Sequence, residues 1–196
     1  MTVIRAAGLP DLPGAYRVCL QTSDDGKDGS ARYRDPDLLG HVYVGSYMVG
    51  QPEFAFVISD SEGVAGYVLG ASDTRAFEAW EEQHWWPLLR RQYVETPGDT
   101  EDEHLIRLLH APVLAPESVV ADFEAHLHID LLPRVQGHGH GRAMMQTLFD
   151  ALRAHGVRGV HLDVGENNDN AIAFYRHLGF DQVARGVDSV YMGRML

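Results

Sequence analysis

The stretch from residue 125 to residue 142, AHLHIDLLPRVQGHGHGR, constrains this chain more than any other. It opens with a two-residue period that sets Leu127, Ile129 and Leu131 on one side and His126, His128 and Asp130 on the other, as a strand requires. Pro133 lacks the N–H a ladder needs and ends the pairing. Gly137, Gly139 and Gly141 follow, and then a helical stripe of Met144, Met145, Leu148, Phe149 and Leu152. A strand that runs through a glycine turn into a helix start makes a cradle for an anion. The first helical N–H groups are unpaired, the helix dipole adds positive charge, and glycines let the backbone approach the ligand. A P-loop is excluded, because Arg142-Ala143 stands where Lys-Ser or Lys-Thr is needed. The dinucleotide fingerprint is excluded as well, because the glycines run G-x-G-x-G rather than G-x-G-x-x-G. Taken alone, the loop also fits a plain glycine-rich turn.

The rest of the chain alternates strands and helices around this stretch. Residues 2–6 read as a strand and 9–21 as a helix whose apolar face carries Cys19, a core residue rather than a nucleophile. The polar loop SDDGKDGSARYRDPD has the start of a calcium loop in Asp24, Gly26 and Asp28. Its third position is glycine and its twelfth is Asp35, so no metal is expected. Residues 36–49 read as one helix, and EFAFVISD and VAGYVLGAS as a hairpin. Residues 73–120 form a helical insert. Asp73 caps its first helix, Trp85-Trp86-Pro87 breaks it, and Thr100 with Glu103 makes a capping box for the next. Trp80, Trp85 and Trp86 suit either a ligand or partner face or the packing of the insert onto the core. The closing segments are a strand at 159–164, a helix after Asn168 that Gly179 stops, and two short strands.

Composition then limits the partners. The 196 residues carry a formal net charge of -12, which argues against nucleic acid and anionic membranes and makes any anion site depend on local N–H groups. One cysteine gives no internal disulfide, no apolar run reaches membrane-span length, and residues 1–11 lack a signal-peptide core. A cytoplasmic location, a single domain over 1–196 and no membrane partner are the matching expectations. The aromatic insert leaves room for a homodimer.

A second motif stands at Asn168-x-x-Ala171-x-x-Phe174-Tyr175-x-x-x-Gly179-Phe180. With Gln136-x-x-Gly139-x-Gly141 before it, one helix and one strand earlier, the pair resembles motifs A and B of the GCN5-related N-acetyltransferase (GNAT) superfamily. Within that superfamily, CLQTSDDGKDGS, PDLLGHVYVG and the Trp-rich insert resemble the C-terminal acetyltransferase-like domain of human O-GlcNAcase. That domain has lost the glycine loop, whereas this chain keeps it. The resemblance covers roughly 1–72 and 120–196 and leaves the insert outside the common pattern. It implies an α/β GNAT fold, with a mixed central sheet of about six to seven strands, helices on both faces and the insert between the third and fourth strands.

The resemblance further implies direct transfer of acetyl from acetyl-CoA to a small-molecule, peptide or protein amine in a ternary complex, with no metal. It assigns the main chains of Leu131 and Leu132 to the pantetheine arm. Gly137, His138, Gly139, His140, Gly141 and Arg142 take the pyrophosphate, with Gln136 bracing the loop and Asn168 near the cofactor arm. Tyr175 matches the general acid, and a phenol is a reasonable proton source for a thiolate. For the base, Asp130 comes first, His128 second and Asp163 third, with water as the alternative. Two other functions compete with the enzyme: an inactive acetyl-CoA-binding module, and an interaction domain that uses the Trp-rich insert.

Overall fold

The computed structural model describes residues 1–196. Val3–Ala6 forms β1 and Leu12–Thr22 forms α1, in which Pro13 is harmless because the first helical turn has no bond for it to lose. The single helix expected over 36–49 is two, α2 (Leu38–Tyr43) and α3 (Gly45–Gly50), parted at Val44 with φ -129° and ψ -49°. The break sets Gly45 against Tyr16 and Trp85, where a Cβ would collide with the Tyr16 hydroxyl and the Trp85 ring. β2 (Ala55–Asp60) and β3 (Gly63–Ala71) form the expected hairpin.

Asp73 does cap α4 (Thr74–Trp80), accepting from Ala76 N at 2.9 Å. The break expected at Trp85-Trp86-Pro87 does not occur. Glu81–Trp85 continues the helical path with wider, π-type spacing into α5 (Trp86–Gln92), and Pro87 falls in that helix's first turn. The Thr100 and Glu103 capping box opens α6 (Glu101–His110), and α7 (Glu117–Val120) ends the insert. The tryptophans pack inward. Trp86 is buried, Trp85 Nε1 donates to His41 O at 2.9 Å, and Trp80 stacks on Phe77 at 6.0 Å between centroids. The insert is therefore not the exposed aromatic face that left room for a dimer.

The remaining elements are β4 (Ala125–Leu131), α8 (His140–Ala154), β5 (Gly159–Gly165), α9 (Asp169–His177), β6 (Asp181–Arg185) and β7 (Ser189–Met195). They complete a mixed seven-stranded sheet in the order β1-β2-β3-β4-β5-β7-β6. One core lies between the sheet and α1, α3 and the insert, around Tyr67, Leu69, Phe77 and Leu109. The other lies under α8 and α9, around Met144, Leu148, Phe149 and Leu162. All neighbouring strands are antiparallel except β4 and β5, which pair only at Ala125↔Val160 and His126↔His161. Beyond His126 those two strands part, although β4 stays registered on β3 to Leu131. The middle of the sheet is thus a wedge, narrow at His126 and wide at the glycine turn.

Candidate functional site

The glycine turn closes the wide end of the wedge. Gln136 N donates to Pro133 O and Ala143 N to Gly139 O. Between them, no backbone N–H from Gly137 to Arg142 donates to a backbone carbonyl or to a side chain. Gly137 and Gly139 hold this shape at φ +76° and +78°, a region costly for other residues, and nothing lies within 4 Å of where their Cβ atoms would be. Gly141 has a different reason. A Cβ there would lie 3.3 Å from the Phe174 ring and 3.4 Å from Leu131 Cδ1, so glycine spares α8 and α9 a tight contact where α8 starts. The row of free donors at a helix N-terminus suits a diphosphate. His138 and His140 have rings 6.0 Å apart, and Arg142 is exposed beside them.

Gln136 Nε2 donates to Leu131 O at 2.7 Å and ties the turn to the end of β4. Leu132 is a correction to the expected arm contacts. Its N–H donates to Ala65 O at 2.8 Å and its carbonyl accepts from Val135 N at 3.0 Å, so neither group is free. Strand alternation then turns the main chains of Leu131 and Ile129 toward the wedge, and Ile129 was not foreseen. Asn168 Oδ1 caps α9 by accepting from Ala171 N at 3.1 Å.

The polar face of β4 divides into unequal parts. His126 is held at both nitrogens, 2.8 Å from Thr74 Oγ1 and 2.7 Å from Tyr47 Oη. Thr74 gives its own proton to Glu124 O, so His126 Nδ1 is the donor and Nε2 accepts from Tyr47. Burial holds that ring neutral, in a structural network. His128 packs against Tyr47 and Tyr43 at 5.3 Å and 6.0 Å, and burial pushes its pKa down to about 4. Asp130 accepts from Tyr67 Oη, and burial pushes it up to about 6 against the pull of that bond and of Thr22. Tyr175 is buried on α9 against Phe180 and Phe174. Burial first, and then the Asp130 charge, drive its pKa well up.

On the α1–α3 side a cleft of about 720 Å³ opens beside the wedge. His128 and Asp163 both line it, and the pairing of His126 with His161 sets them level on the same face. Asp130 does not line it, so the residue ranked first as base is bound to Tyr67 instead. Burial also raises Asp163, opposed by Ser189. His161 was missed in GVHLDV. It is buried, lines the cleft, and hydrogen-bonds Phe123 O at 2.7 Å through Nδ1.

A split sheet, with a row of free amides at its wide end and a separate cleft on one face, has room for two ligands that meet between its strands. The chain belongs to the acetyltransferase (GNAT) family, whose model matches residues 27–180. The family is one of acyltransferases. Protein O-GlcNAcase of Rattus norvegicus is 29% identical over 194 residues, 95% of this chain and 21% of that protein. Mycothiol acetyltransferase of Corynebacterium glutamicum (strain R) is 27% identical over 167 residues, 83% of this chain and 53% of that protein. The chain therefore spans about a fifth of the first relative and about half of the second. The crystal structure of SsHAT has the same fold with a TM-score of 0.92 and 40% identity, over 99% of this chain and 98% of that one.

Proposed function

We propose that the chain is an acetyl-CoA-dependent N-acetyltransferase that transfers acetyl directly to an amine held in the cleft. The observation that carries this is the run of free amides from Gly137 to Arg142 at the wide end of the wedge. Those amides hold the diphosphate, Gln136 braces them, and the main chains of Leu131 and Ile129 line the path of the cofactor arm. Bound acetyl-CoA would supply the activated thioester. Tyr175 keeps its proton at any working pH and gives it to the departing sulfur. Asp163 lines the cleft level with His128 and takes the proton of the incoming ammonium; His128, with its low pKa, stays neutral and packs against the amine. Asp130 acts on Tyr175 through its charge, which opposes early loss of the phenol proton.

The test is the release of free CoA thiol, together with the acetylated product, from acetyl-CoA and a panel of amines. Thiol release that depends on the amine supports the reading. Binding of acetyl-CoA with no release for any amine would instead make the chain a binding module.

A further inference from the structure

The cleft contains no arginine or lysine, but it has four carboxylates in its wall: Glu78, Glu81, Asp163 and Asp188. Glu78 is answered within the protein, by Arg75 Nη1 at 2.6 Å and Ala115 N at 3.3 Å. Glu81 is not. It is only 9% exposed, lines the cleft, forms no ion pair, and has only the Ser46 hydroxyl beside it to ease its ionisation. Ser46 itself is wholly buried, and its Oγ has no other hydrogen-bond partner. A carboxylate this buried is costly without a cation or donors to answer it. Burial duly pushes its pKa up to about 7. Glu81 is also the first residue of the widened turn between α4 and α5, a departure from regular helix often found at functional positions. Around it, Tyr43, Tyr47 and Trp86 give the cleft an aromatic wall that suits an alkyl chain and a cation.

The geometry points to Glu81 as a specificity-determining residue that receives a second positive charge on the acceptor, so that the substrate class is an amine carrying a further cationic group. This rests on the acetyl-transfer reading above. One cationic end meets Asp163 and reacts, while the other meets Glu81 and sets orientation. A metal ion is a poorer occupant, because no group of three or more metal-ligating side chains gathers there.

The test compares cadaverine and its longer α,ω-diamine homologues with n-alkyl monoamines of equal length, in the wild type, Glu81→Gln and Glu81→Asp. Turnover is followed by CoA release, and binding by calorimetry without acetyl-CoA. The wild type should prefer the best diamine at least about ten-fold in kcat/KM. Glu81→Gln should remove that preference, chiefly through KM, and leave monoamine turnover as it was. Glu81→Asp keeps the charge on a shorter stem and should shift the optimum to a longer diamine. Equal use of both amines by the wild type, or the same loss for both in Glu81→Gln, would overturn the inference and leave acetyl transfer standing. If no amine releases CoA, acetyl transfer fails on its own. The inference is then decided by calorimetry: diamine binding that Glu81→Gln abolishes upholds it, and binding indifferent to that change overturns it.

Discussion

In the proposed reaction Tyr175 and Asp163 divide the proton work, and each can be removed alone. Tyr175→Phe keeps the ring against Phe180 and Phe174 and removes only the acid. It should lower kcat by about 10²-fold and leave acetyl-CoA affinity unchanged in calorimetry; unchanged turnover would remove Tyr175 from the mechanism. Asp163→Asn should cost more in kcat/KM than Asp130→Asn, and the reverse order would return the base to Asp130. Glu81 makes a prediction in pH. Its folded pKa, about 7, lies above the ordinary 4.5, so its contribution to stability is complete below about pH 4.5 and is lost as pH rises through 7. Glu81→Gln escapes that loss and should gain on the order of 2 kcal/mol over the wild type near pH 8 and far less near pH 5, read by thermal or denaturant melts. A gain equal at both pH values would mean that the buried carboxyl is never ionised. His128 runs the other way. Its contribution is present above pH 6.5 and lost as pH falls toward 4.

Among the elements, the turn from Gln136 to Arg142 depends on glycine for two separate reasons, strain and space. Gly139→Ala and Gly156→Ala put a side chain at nearly the same positive φ, +78° and +80°. Each should lose about 1–2 kcal/mol of stability. Only Gly139→Ala should also weaken acetyl-CoA binding, by at least about ten-fold; an equal loss in both would make the turn a mere structural bend. This turn was legible in the sequence because its residues are contiguous and their order alone makes strand, turn and helix. The phase of β4 was legible for the same reason, through its two-residue period. What could not be read depended on pairing between distant segments. Leu132 looked free until Ala65 took its N–H, and that Asp163 lines the cleft with His128 while Asp130 does not depended on how the distant strands come together. Trp85-Trp86-Pro87 suggested a break because proline usually ends a helix, yet the wider π-type spacing of Glu81–Trp85 just before it carries the path into α5. Glu81 gave no signal, because a glutamate in a helical insert looks like a solvated face until its burial is known.

For the whole molecule, the wedge is the organising feature. Its two strands are parallel neighbours that share two registered pairs and then separate, so the sheet gives up backbone bonds at its centre. Unpaired strand groups are costly when buried, and a linear ligand arm with its own amides would satisfy them. The glycine turn lies at the wide end, the cleft beside the narrow end, and Tyr175 packs from the opposite face, so in the proposed reaction the two substrates would meet within the sheet. A net charge of -12 makes the cradle's local amides, rather than long-range attraction, responsible for holding an anionic cofactor. The most direct test follows the backbone amide signals of isotope-labelled protein by NMR as acetyl-CoA is added to equal concentration. The amides of Gly137, His138, Gly139, His140, Gly141 and Arg142 should shift most, with those of Ile129 and Leu131 next. Binding that moves other amides and leaves the turn from Gly137 to Arg142 in place would contradict the account.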